Sequence, residues 1–316
     1  MAKKKSNKII SAFSIFFSSA KTYFLYLDQC FKYLSFPIFG QLIGLALIFT
    51  CTYYFNINKE NISNISPFFE NHLYTIFYIV LLPFFIIFVK AIYDYVLAFC
   101  GLNLLFYTVS NKKKVKDINF KANKDVIQRR LFQYILLMLL VSVLLVVPPL
   151  IFVAPIIWVF LCLSFQVFSF ENGTSAFKAI GRSVELVKGN FIATSILLLL
   201  CGFTTYWFLP NVFLWACEKI SVTSFLINKI ELIAQMLPLN HYNDILSIVN
   251  YEIDALTIAK ASAESVITFI VIGFSLPFRC CCFTELYKLY DSEKIKEFSK
   301  STDDIIERAT GKKRKN

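Results

Sequence analysis

The chain has 316 residues, 57% of them apolar and 17% aromatic, with 35 Phe and a net charge of +11; its mean hydropathy is +0.61. So much apolar side chain in long runs excludes an ordinary soluble domain. The cations cluster between apolar segments instead of forming one continuous face, which excludes nucleic acid as a partner and points to membrane topology.

In chain order, residues 1–8 carry four lysines, and residues 9–20, IISAFSIFFSSA, imitate a secretory signal. Ser11, Ser14 and Ser18 form a polar stripe opposite Phe13, Phe17, Phe24 and Phe31. That helical periodicity favours an interfacial entry helix over a cleaved signal. Residues 37–55 are uncharged for nineteen positions, enough for a first span. Residues 56–72, NINKENISNISPFFENH, are polar and turn-forming and suit the outer side. Residues 73–109 form a dominantly apolar run of 37 positions, about 55 Å as a helix and too long for one crossing. The spacing predicts a span over 73–94 and a continuing helix over 95–109 at the inner surface. Lys90 and Asp94 stand four apart on one helical face. They read either as a snorkelling couple at the interface or as an ion or proton site in the membrane.

Lys112, Lys113, Lys114 and Lys116, with Lys121, Lys124, Arg129 and Arg130, crowd the following loop. Such density marks the cytoplasmic side and attracts anionic lipid headgroups. Residues 131–166 carry no charge and contain Pro148, Pro149 and Pro155, which predicts two spans, 131–147 and 150–169, joined by a proline hairpin outside. The stretch 173–203, GTSAFKAIGRSVELVKGNFIATSILLLLCGF, has both helix ends marked: Thr174 or Ser175 as N-cap and Gly189 as the left-handed terminator. Phe177, Ile180, Val184 and Val187 recur at helical spacing, with Lys178, Arg182, Glu185 and Lys188 on the other side. This is either an amphipathic helix in the headgroup layer, with Lys178, Arg182 and Lys188 meeting anionic lipid, or a connector helix packed on its neighbours.

A span over 191–214 follows, then a long outer segment, 215–263, whose run FLINKIELIAQML should hold short helices of its own. Residues 264–283 form the last span, with Arg279 near its inner end, and 284–316 a charged cytosolic tail. Proposed inner segments hold twenty-six cations against four outside. The expected fold is all-α: a polytopic membrane helix bundle of about six transmembrane helices plus amphipathic interfacial helices, with both termini cytoplasmic. Gln41, Asn103 and Gln166 join Lys90 and Asp94 as the polar residues inside apolar segments that could line a transport pathway or serve as helix glue.

The nine cysteines mostly fall in apolar runs without disulfide or zinc spacing and read as small apolar residues. The triple Cys280, Cys281 and Cys282 has acylation or a soft metal as its alternative. His72 and His241 are the only histidines. No phosphate-binding loop, nucleophile elbow or zinc-protease helix occurs, so no cofactor, metal or catalytic residue is expected.

The run AFKAIGRSVELVKGNF, followed by an apolar span, and the exit FTELYKLYDSE resemble the membrane domain associated with glycerophosphoryl diester phosphodiesterases and related uncharacterised bacterial inner-membrane proteins. Ala179, Ser183, Leu186 and Gly189 match an Ala-Leu-x-x-Ser-x-x-Leu-x-x-Gly pattern, with Ile180 in place of its Leu; Leu286, Tyr287 and Tyr290 approach its Leu-Tyr-x-x-Tyr exit. The resemblance implies a multi-pass bacterial inner-membrane protein and brings no catalytic residues, since hydrolysis in such phosphodiesterases belongs to a separate barrel. The expected function is a non-enzymatic envelope or lipid-associated accessory protein, acting on the bilayer or on a membrane protein partner. The alternative is a transporter or channel for a small solute or lipid.

Overall fold

The computed structural model describes residues 2–110, 127–146, 153–171, 173–235 and 253–292, with positions 237, 239 and 243, and every regular element among them is helical. In order these are α1 (Ala2–Leu25), α2 (Leu27–Ser63), α3 (Pro67–Ser110), α4 (Leu131–Val146), α5 (Ala154–Leu161), α6 (Ser164–Phe170), α7 (Ala176–Val187), α8 (Phe191–Lys219), α9 (Val222–Ala234), α10 (Ala255–Phe274) and α11 (276–292). Four helices are long and apolar enough to cross a membrane: Leu27–Ser63, Pro67–Ser110, Phe191–Lys219 and Ala255–Ser292, the last being α10 and α11 joined at Ser275.

Two expectations change. The regions expected to span at 131–147 and 150–169 are shorter helices, and the second is broken at Cys162–Leu163 into α5 and α6. Residues 56–72, expected to be turn-forming, are helical on both sides of a short turn at 64–66, while helix α3 runs on through Asp94 for 44 residues, about 66 Å at 1.5 Å per residue, as the expected continuation over 95–109 requires. Most of the loop 110–130, the hairpin prolines Pro148 and Pro149, His241 and the tail beyond residue 292 lie outside the described residues.

The chain forms two compact units. The first comprises Met1–Gln29, Val96–Cys201 and Pro277–Asn316. Its core is aromatic: Tyr134 stacks on Phe168 at 5.8 Å, Phe165 meets Phe99 edge-on at 5.3 Å, and Phe170 lies between Tyr107 and Tyr287. Tyr134 is almost fully buried, and its hydroxyl donates to the Val96 carbonyl at 3.1 Å, the partner that a buried phenol requires.

The second unit comprises Cys30–Tyr95 and Gly202–Leu276. Within it α2 and α3 approach closely because Gly40 and Gly44 carry no side chain: a Cβ on Gly40 would lie 2.9 Å from the Ala91 Cβ, and one on Gly44 2.9 Å from the Phe88 backbone. Glycines four apart let two helix backbones meet along one stripe. Phe274 of α10 stacks on Phe31 at 4.8 Å, and Phe55 on Phe77 at 4.1 Å. Helix α8 widens into a π turn at Phe203–Phe208, immediately before Pro210. Proline lacks the amide that would continue the α ladder, so the Leu209 amide reaches back five residues to the Thr204 carbonyl and the Asn211 side chain donates to the Trp207 carbonyl at 2.6 Å. The expected helix in the outer segment is α9, entered through Ser221 at φ 61°. Asn243 and Ile253 exchange two hydrogen bonds, at 2.9 and 3.0 Å, just ahead of α10.

The side chain of Asp254 caps α10, accepting from the Thr257 amide at 2.6 Å. Hydrogen bonds from the Thr257 side chain and amide hold its carboxyl below the ordinary value of 3.8. A depressed carboxylate stabilises the fold above its unfolded pKa and loses that contribution as pH falls through the folded value. Protection of the Thr257 amide, its exchange rate referred to that of an unstructured amide at the same pH, should therefore fall on acidification below about pH 4. Asp254→Asn should flatten that dependence, and Asp254→Ala should raise exchange at every pH.

The glycine contacts make a paired prediction. Gly44→Leu should lower the stability of the purified protein in lipid by about 1–3 kcal/mol, the usual cost of overpacking a close contact. Gly181→Ala, where an added Cβ meets nothing within 4 Å, should be neutral or stabilising by up to about 1 kcal/mol. Thermal unfolding of both variants beside the parent protein checks this.

Candidate functional site

Helix α7 is seated by its sequence at both ends. The Ser175 side chain is the N-cap, accepting from the Lys178 amide at 3.4 Å, and Gly189 takes φ +92°, so both expected end signals are used. The buried face is Ala176, Ala179, Ser183, Leu186 and Val187, while Phe177 and Val184 are exposed. Of the expected apolar face, Val187 is buried and Ile180 half-buried, and Phe177 and Val184 face outward, as a face open to lipid or protein allows. Small side chains permit close packing of α7 on α4, α5 and α6, and the bulky apolar residues are left outward. The helix is thus a packed connector that also presents Phe177, Lys178, Val184 and Lys188 at the surface.

The residues of the family-like pattern build this seat. The Ser183 hydroxyl donates to the Phe160 carbonyl at 2.6 Å, capping a carbonyl left near the α5–α6 break. The Tyr290 hydroxyl lies 2.9 Å from the Thr194 hydroxyl, and Thr194 donates to the Asn190 carbonyl at 3.0 Å. Tyr287 donates to Glu171 at 3.1 Å. Leu286, Tyr287 and Tyr290 are all buried.

Arg182 sits among three carboxylates. Its Nη2 donates to Asp291 at 2.9 Å, its Nη1 to Glu185 at 3.4 Å, and its Nε lies 3.5 Å from Glu171. Burial pulls its pKa down, but the Glu185 hydrogen bond and the charges of Glu171 and Asp291 outweigh it and hold the guanidinium above its ordinary range. The cation expected to meet headgroups is therefore engaged within the protein. Sequence reasoning did not find this knot, because Asp291 lies 109 positions from Arg182 and Glu171 lies before the non-helical stretch that precedes α7, so no single helix carries them together. It likewise missed Arg130, which donates to the Phe168 carbonyl at 2.9 Å and to the Thr174 carbonyl, and lies 4.0 Å over the Phe168 ring. With Gln133 accepting from the Ala176 amide at 3.2 Å, the start of α4 fixes the start of α7.

The other expected polar residues separate. Lys90 and Asp94 form an ion pair along α3, with Lys90 about half exposed and its amine 5.7 Å from the Tyr93 ring centroid. Gln41 donates to the Pro37 carbonyl of its own helix at 2.7 Å, so its amide serves the helix. Asn103 and Gln166, 63 positions apart, come together: Gln166 Nε2 donates to Asn103 Oδ1 at 3.3 Å with both residues fully buried. Lys178 and Lys188 are exposed; Lys112, Lys113, Lys114 and Lys116 lie outside the described residues.

Cys280, Cys281 and Cys282 are buried, as expected of small apolar residues, and none of the nine cysteines is in a disulfide. Among the described residues no group of three or more His, Cys, Asp and Glu is placed to hold a metal ion. An open apolar groove of about 540 Å³ runs between α2 and α3, lined by Cys51, Tyr54, Phe55, Ile62, Phe77 and Val80. No protein-family model, no curated protein and no solved structure matches the chain.

Removing the guanidinium strands three carboxylates around one point. Arg182→Ala should cost on the order of 1–2 kcal/mol, less than a fully buried pair because the side chains are partly exposed. Arg182→Lys should recover only part of it, since an ammonium cannot reproduce the fork. Thermal unfolding at low and high salt measures both effects; the deficit should shrink as salt rises.

Proposed function

We propose that the chain is a multi-pass protein of the bacterial cell membrane, with both termini cytoplasmic, that acts without catalysis through contact with lipid or with a membrane protein partner. The observation that carries this reading is helix α3: in its most apolar window only 6% of the residues are buried. Ile79, Val80, Leu82, Phe85, Ile86 and Val89 are exposed along it. Exposed apolar surface on that scale requires hydrocarbon or another protein to cover it. The aromatic residues Tyr206, Trp207 and Trp215 on α8 have the amphipathic character of interfacial anchors. The exposed Lys178 and Lys188 flank the outward Phe177 and Val184 on α7 and suit anionic headgroups above acyl chains. The transporter reading draws its support from the buried meeting of Asn103 with Gln166. It stands second because polar pairs between helices are also ordinary packing glue.

Two measurements test the first reading. A cysteine at Lys59 should react with an impermeant maleimide on intact cells, and one at Lys178 only after permeabilisation, in a background with Cys51 and Cys217 replaced by Ala. Equal labelling, or release of the protein by alkaline carbonate, overturns it. Extraction into native-lipid discs should retain anionic phospholipid, and Lys178→Gln with Lys188→Gln should lower the retained fraction.

A further inference from the structure

We propose that the amide pair of Asn103 and Gln166 binds one water molecule as a permanent bridge in the core of the first unit. Asn103 is 0% exposed and Gln166 1%. Their single direct hydrogen bond, 3.3 Å from Gln166 Nε2 to Asn103 Oδ1, uses one donor and one acceptor. It leaves Asn103 Nδ2 and Gln166 Oε1, both fully covered, without a partner among the described residues. Such an orphan is costly when nothing replaces the water it has lost.

The chemistry of the two orphans selects the ligand. One is a donor and the other an acceptor, so the bridging group must accept and donate at once. A cation would satisfy the Gln166 carbonyl oxygen and face the Asn103 amide hydrogens; an anion would do the reverse. Exchanging oxygen and nitrogen in both amides leaves the conclusion unchanged. The direct bond then runs from asparagine to glutamine, and again one donor and one acceptor remain. Exchanging only one of them sets like atoms against each other. Both residues are closed off from the surface, so the neutral ligand is small, and water is the smallest that carries both functions; buried waters commonly make about three hydrogen bonds. The same short helix supplies more unmet polarity. Ser164, two positions before Gln166, has a buried hydroxyl with no partner among the described residues, and the Phe160 carbonyl four positions before it already accepts from Ser183. A helix broken at Cys162–Leu163 is the place where such groups collect. The inference holds for either functional reading, because it concerns what the pair contains and not what passes it.

The test uses the full-length chain in lipid discs, with the Asn and Gln side-chain amides labelled with nitrogen-15. The wild-type amide protons of Asn103 and Gln166 should show cross-relaxation to a long-lived water, with their signals assigned by loss in Asn103→Ser and Gln166→Ser. Absence of water cross-relaxation at both amides overturns the proposal. Should either variant fail to fold, a high-resolution map of the wild-type protein decides: density within hydrogen-bond distance of both side chains supports the bridge. Two reciprocal amide bonds with no density between them refute it.

Discussion

The constraint on which the rest depends is that backbone carbonyls away from water must find donors. At several interruptions of the helical ladder a side chain supplies one. Near the α5–α6 break Ser183 donates to Phe160; at the end of α6 Arg130 donates to Phe168 and, beyond it, to Thr174; before Pro210 Asn211 donates to Trp207. Tyr134 and Gln41 add donors to Val96 and Pro37, carbonyls inside the continuous helices α3 and α2. One of these polar residues, Gln41, is in the sequence a candidate for a polar pathway. In three dimensions its amide donates to its own helix, whereas Asn103 and Gln166 meet each other.

Charge obeys a related economy. Arg182 is an isolated cation on an amphipathic helix when read along the chain, yet it is held by Glu171, Glu185 and Asp291. A guanidinium can serve several carboxylates because its donors point in fixed, divergent directions. The lysines behave differently: Lys178 and Lys188 on α7 remain at the surface. The distinction between an arginine that organises the protein and lysines that address the surroundings cannot be drawn from residue type and spacing alone, because it depends on which acids the fold returns to the same point.

Much of the helical architecture was legible, and the reasons are local. Ser175 and Gly189 marked α7 because capping needs only nearest neighbours, and the long apolar runs marked α2, α3, α8 and α10 by composition. The orientation of α7 was not legible. Hydrophobic periodicity marks an apolar face that lipid or protein could cover, and here the bulky Phe177 and Val184 point out while Ala176, Ala179 and Ser183 point in. The pattern Gly40-x-x-x-Gly44 was also passed over, and its meaning lies in the nearness of Ala91 and Phe88, which no spacing within α2 reveals.

That inversion follows from the solvent. In water, burying Phe177 would be favourable and exposing it costly; where hydrocarbon surrounds the helices, a large apolar side chain gains little by moving from lipid to protein. Packing is then decided by how closely backbones can approach, and alanine, serine and glycine win the interior positions. The same preference appears independently in the second unit at Gly40 and Gly44 and in the first along α7. While the cores elsewhere hold large side chains such as Tyr134 and Phe168, at these two contacts small residues lie within and bulky apolar residues without, the reverse of a water-soluble bundle. Its recurrence in two separate units is what the proposed lipid setting would produce, and an aqueous setting would select against it.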